Sequence, residues 1–109
     1  MRDKVRHAVE VCPIEVGVAV AGGDWKLTAV SKLEPGPLRF GELQRAVGPV
    51  SAKTLTRQLR ALEVDGIVVR TVYPEVPPRV TYELTEAGRE LATVAAQLGR
   101  WGERYLASR

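Results

Sequence analysis

A mainly α-helical chain with one small β-hairpin is the fold class predicted here, and three observations predict it. Two apolar stripes recur at helical spacing, Leu55–Leu59–Leu62 and Leu91–Val94–Leu98. Two runs rich in β-branched residues, IVVRTVY and RVTYEL, flank the proline-rich tip PEVPP. Finally, EPGP at 34–37 and GPV at 48–50 break the chain where short helices would otherwise merge.

The elements follow in order. In the first segment Ile14, Val16, Val18 and Val20 alternate as in a strand, while Ile14, Val18 and Ala21 share a helical face and Pro13 suits a first helical turn. The residues alone leave both readings open, with a slight lean to helix. Gly22-Gly23 ends the segment. Asp24 is the expected N-cap of a helix through Leu33 that sets Trp25, Ala29 and Leu33 on one side. LRF at 38–40 is a minimal edge strand, and Phe40 to Val47 a short helix with Phe40, Leu43, Ala46 and Val47 inward. Ser51 caps the next helix and Gly66 supplies its left-handed end. The hairpin follows, with Val80, Tyr82 and Leu84 alternating against Arg79, Thr81 and Glu83. Thr85 caps a last helix from about Glu86 to Ala107, roughly 33 Å long at 1.5 Å per residue. Two helices joined by a tight turn and followed by a hairpin make a winged helix-turn-helix. No linker interrupts it, so residues 1–109 are expected to form one domain.

Bulk chemistry narrows the function. With 109 residues, 45 % of them hydrophobic and 27 % charged, the chain has an ordinary globular balance and room for one modest core. Cys12 is the only cysteine, which excludes an internal disulfide framework and fits a reducing compartment. No apolar run reaches the length of a membrane span, and the N-terminal stretch lacks the uninterrupted core of a signal peptide, so a cytoplasmic location is expected. A single His and a single Cys cannot build a multi-ligand zinc site, and no glycine-rich phosphate loop is present. The expectation is a non-enzyme without metal or cofactor.

Charge narrows it further. On a helical wheel, Ala52, Leu55, Leu59 and Leu62 share an apolar sector, while Lys53, Thr54, Arg57 and Ala61 lie opposite, with Arg60 beside Lys53. Residues 39–60 hold five cations and one acid, so the remainder of this +3 chain is net −1. A cationic, hydroxyl-bearing face without bulky apolar residues suits a major groove, where Arg and Lys donate to guanine and Thr to a base edge or phosphate. The competing reading is a solvated face, which most three-cation helices are. The helix-turn-helix position and the hairpin arginines Arg70 and Arg79 favour duplex DNA.

CPIE at 12–15, GGDWK at 22–26, GPLRFGEL at 36–43, SAKTLTRQLRALEVDGIVVRTVYPEVPPRVTYELTEAG at 51–88 and Trp101-Gly102 together resemble the HxlR-type transcriptional regulators, bacterial and archaeal winged helix-turn-helix proteins related to the MarR group. The resemblance runs from Cys12 to Trp101, and YPEVPPRVTYELT is its most specific piece. It implies a helical first segment and a homodimer on a two-fold DNA operator. Matching positions imply that Ser51, Lys53, Thr56 and Arg57 enter or flank the major groove, that Arg39 lies near the backbone, and that Arg79 sets the wing on the adjacent minor groove or phosphates. Arg39 and Arg79 could equally pair with Glu42 and Glu83. Two departures stand out: Asp24 replaces a usual Lys, removing a backbone-facing charge, and TAVSKL is less apolar than usual, implying a less firmly packed helix.

The last helix is longer than a small core can cover. Its stripe of Leu91, Val94, Leu98, Trp101 and Tyr105 is the expected dimer interface, together with the N-terminal helix. Some HxlR-type proteins use the cysteine before the proline as a thiol switch, and Cys12 holds that place, at a helix N-terminus whose dipole favours an anion. The alternative is a small half-buried residue with no switching role. Two rival functions remain: a winged protein-interaction module without DNA, and an enzyme or small-molecule sensor with a cavity at the dimer interface lined by Trp25, Trp101 and Tyr105. Catalysis lacks candidate residues, whereas a small-molecule or oxidant effector is compatible with regulation.

Overall fold

The computed structural model describes residues 1–109. In chain order it contains α1 (Asp3–Val9), α2 (Pro13–Ala21), α3 (Lys26–Leu33), β1 (Leu38–Arg39), α4 (Phe40–Val47), α5 (Ala52–Val64), β2 (Val68–Tyr73), β3 (Arg79–Leu84) and α6 (Glu86–Ala107). The strands form one antiparallel sheet in the order β1-β3-β2. Arg70 faces Tyr82 across the hairpin, and Tyr82 also faces Leu38 of β1. The mainly helical fold with a small hairpin is the one the periodicities predict.

Local chemistry sets the boundaries of the central elements. Ser51 caps α5: its hydroxyl accepts the Thr54 N–H at 3.1 Å. Gly66, at φ +77°, turns the chain out of α5 into β2, a conformation strained for any residue with a Cβ. Thr85 caps α6 by accepting the Gly88 N–H at 3.1 Å, and its hydroxyl also donates to the Gly66 carbonyl at 2.6 Å. One side chain therefore fastens the start of α6 to the end of α5.

The core lies between α3, α4, α5 and the sheet. Leu55, Leu59 and Leu62 from α5 meet Val30 and Leu33 from α3, Leu43 and Val47 from α4, and Val68, Tyr82 and Leu84 from the strands. At about 1.5–3 kcal/mol per buried large side chain, the three α5 leucines are a principal brace of the fold. A smaller cluster of Val5, Ala8 and Ala19 joins α1 to α2.

Several sequence expectations need correction. Asp24 does not cap α3. The cap is Trp25, held at φ +70°, and no side-chain bond is made there. The chain reverses within GGDW, and Lys26, the first residue of α3, is drawn inside the protein. The TAVSKL helix is not loosely packed, because Ala29, Val30 and Leu33 are all at most 1 % exposed. Ala46 is exposed, since the inward stripe of α4 runs through Leu43 and Val47, four residues apart. Ala52 is also exposed, as it sits in the first turn of α5, and Gln58 takes the buried place beside Leu55 and Leu59. A short helix α1, which carries His7, precedes the elements that the periodicities predict.

The N-terminal helices are tied to the end of α5 by charge. Arg2 donates from Nε to Asp65 Oδ2 at 2.7 Å and from Nη2 to the Ala19 carbonyl at 2.7 Å, while its backbone N–H reaches Asp65 Oδ1 at 2.9 Å. The Asp65 side chain is almost fully enclosed. Lys26 lies nearby with its Nζ 3.3 Å from the Val20 carbonyl. Burial pushes the Lys26 ammonium below its ordinary pKa, Arg2 and Lys4 add to the shift, and Asp65 partly opposes it.

Candidate nucleic-acid interface

Helix α5 presents two unlike faces because its sequence alternates leucines and cations at helical spacing. Leu55, Leu59 and Leu62 are fixed in the core, so Lys53, Arg57 and Arg60 must point outward, and all three are exposed. None of them takes part in the chain's three ion pairs. Ala52, Lys53, Thr56, Arg57 and Arg60 line one open depression on this face. Ser51 is exposed at the helix start. Thr54, expected on the outer face, is half-buried against its own cap, and Thr56 is half-buried on the side towards the hairpin.

The hairpin differs more from expectation. Arg79 does not pair with Glu83; Glu75 takes it, with Nη2 2.9 Å and Nε 3.0 Å from Oε2. The guanidinium also lies 3.9 Å from the centre of the Tyr73 ring. The PEVPP tip brings Glu75 back beside the start of β3, whereas Glu83 stands four residues further along the same strand. Arg39 makes no ion pair with Glu42. Glu42 instead accepts the backbone N–H of Arg39 at 2.8 Å, closing the first turn of α4 and leaving the Arg39 side chain exposed.

Away from the core, α6 carries a row of uncovered apolar residues. Val94, Leu98, Trp101 and Tyr105 are each between 44 % and 56 % exposed, and Leu91 is half-buried. Trp101 and Tyr105 stack with ring centres 5.1 Å apart. Between α6 and α2 runs an apolar groove of about 400 Å³, lined by Ile14, Val18, Leu27, Leu91, Val94 and Leu98 among others. The aromatic trio of Trp25, Trp101 and Tyr105 does not line it. Cys12 is a half-buried free thiol at the residue preceding Pro13, the N-cap position of α2. No helix is long and apolar enough to cross a membrane, and no three His, Cys, Asp or Glu side chains gather as metal ligands would.

The HxlR-like helix-turn-helix family matches residues 20–109, which take in the whole of α3 through α6. The chain belongs to the HxlR-like helix-turn-helix family. Relatives within reach of it are helix-turn-helix-type transcriptional regulators. One, uncharacterized, from Methanothermobacter thermautotrophicus is 44 % identical over 87 % of this chain and 72 % of its own length. YybR from Bacillus subtilis is 46 % identical over 86 % of this chain and 75 % of its own length. Among solved structures, the redox regulator HypR superposes in its reduced form with a TM-score of 0.82 at 42 % identity, covering 90 % of this chain and all of HypR. In its oxidized form the TM-score is 0.79 at 45 % identity, over 85 % of this chain and 96 % of HypR. This HxlR-like protein is thus a transcriptional regulator of the helix-turn-helix type, and its relatives are regulators rather than enzymes.

Proposed function

We propose that this HxlR-like protein is a homodimer that binds a two-fold operator in double-stranded DNA with sequence specificity. The observation that carries the reading is the outer face of α5, on which Lys53, Arg57 and Arg60 are exposed and free of acidic partners. In the proposed complex α5 enters the major groove. Lys53, Arg57 and Arg60 face bases and phosphates, and Ser51, Thr54 and Thr56 flank them. Arg39 meets the backbone, and Arg79 steadies the hairpin against the adjacent minor groove. The row from Leu91 to Tyr105 on α6, with α2 beside it, forms the dimer seam and sets two α5 helices about 34 Å apart.

A thiol signal is the second part of the proposal, supported by Cys12 at the start of α2 and by the likeness to HypR, a redox regulator. With no second cysteine in the chain, oxidation of Cys12 gives an intersubunit disulfide, a mixed disulfide or a sulfenic acid. One experiment tests both parts: selection of genomic fragments by the purified protein, then binding of the selected duplex across a salt series before and after diamide. If each protomer neutralises about four phosphates, log K falls against log salt with a slope of about −7. Weak binding without salt dependence would leave a protein-interaction module as the better reading. A Cys12→Ser variant that still loses affinity on diamide treatment would remove the thiol.

A further inference from the structure

Helix α5 and the hairpin do not close on each other along their whole length. Thr56, Arg60 and Glu63, spaced four and three residues apart, form the stripe of α5 turned towards the sheet. Opposite stand Arg70 and Tyr82, direct cross-strand partners whose side chains leave the same face of the hairpin. These five residues enclose a cleft of about 290 Å³.

Three features of the cleft want an oxyanion. Arg70 lies on the sheet face that carries buried Val68 and Leu84, at the point where that face opens to solvent, and it is exposed. Neither Arg70 nor Arg60 has an acid within 4.0 Å, Glu63 included, so both guanidinium charges at the cleft are free to meet an anion. Tyr82 is 8 % exposed, and its hydroxyl makes no hydrogen bond within the chain. Since no enclosed side-chain oxygen is left without a partner, that hydroxyl keeps an opening, and the cleft is where Tyr82 meets it. Two arginines and two hydroxyl-bearing residues thus line one cleft, against a single carboxylate.

We propose that this cleft binds a phosphate group, with Arg60 and Arg70 supplying the charge and the Thr56 and Tyr82 hydroxyls donating to its oxygens. In part this rests on the DNA reading above. With α5 in the major groove and the hairpin over the adjacent minor groove, the strand between the two grooves crosses the cleft, and one of its diester phosphates is the occupant. A free phosphate offers the same oxygens.

The test follows the arginine side-chain Nε–H resonances of the full chain on adding inorganic phosphate or the selected duplex, alongside salt titrations of variants. Displacement of the Arg70 resonance by duplex, with Arg70→Gln flattening the salt slope by about 0.9 and leaving sequence preference intact, supports the diester as occupant. Displacement by inorganic phosphate with an unaltered slope supports a free-phosphate site. Tyr82→Phe, which keeps the ring in the core, weakens the phosphate or duplex response about tenfold in either case. A duplex bound with a steep slope that neither displaces Arg70 nor responds to Arg70→Gln overturns the cleft and spares the DNA reading. A phosphate response without any duplex binding does the reverse.

Discussion

Arg57 stands on the outermost line of α5, one helical turn from Lys53, with the leucine brace directly behind it. No acid competes for it, so its full donor fork is available to a base edge. If it reads guanine, Arg57→Ala costs roughly 1–3 kcal/mol of binding and relaxes preference at one operator position. Competition assays with single-base variants of the selected site check this, and an unchanged preference contradicts it. Lys26 makes a different prediction, one of stability. Its folded pKa lies below the 10.5 of the unfolded chain because burial disfavours the ammonium, reinforced by Arg2. Between the two values the unfolded chain binds the extra proton, so this group's contribution to stability rises with pH across that window and levels off above 10.5. Lys26→Met should lose that alkaline gain. The melting temperature of the wild type minus that of the variant is expected to climb as the pH rises towards 10.5.

Among the elements, α6 is the most constrained at its start. Gly88 packs so closely on the residue ahead of β2 and on the end of β3 that a Cβ there would overlap the Ile67 carbonyl oxygen and crowd Leu84. Gly88→Ala should therefore destabilise by about 1–3 kcal/mol, despite the better helix propensity of alanine; urea unfolding of the variant checks it. The outline of α6 was legible in the sequence because Thr85 is a strong cap and the stripe from Leu91 to Tyr105 is long. The same holds for α5, where Ser51, the leucines and Gly66 agree. By contrast α1 has only seven residues and two buried positions, Val5 and Ala8, too few to establish a period. The left-handed Trp25 left no pattern to read. Pairing of Arg79 with Glu75 depends on how PEVPP folds back, and residue spacing says nothing of that. The Arg70 cleft left little trace, because only Val68 of the residues sharing its face of β2 is buried, and its meaning needed the facing helix.

At the scale of the whole molecule, the radius of gyration of 14.7 Å exceeds the roughly 13 Å expected for a compact chain of this length. The excess fits α6, whose second half runs beyond the core with its apolar row uncovered. In the proposed dimer this row is the seam for a second copy. Leu98→Glu puts a charge in the middle of it. The expected outcome is a monomer by sedimentation and a loss of duplex affinity of about 10²-fold or more, because the two half-sites are no longer held together. A Leu98→Glu protein that still sediments as a dimer would move the seam elsewhere.

The Thr85 hydroxyl makes α6 and α5 a single lever. In the proposed dimer on DNA, its bond to the Gly66 carbonyl ties the helix at the seam to the helix in the groove. In a dimer joined along α6, a change of about ten degrees in how the two long helices cross swings the far end of each by about 6 Å over its roughly 33 Å length. A displacement of that size is close to one helical turn, enough to bring both reading heads into register with the duplex or carry them out of it.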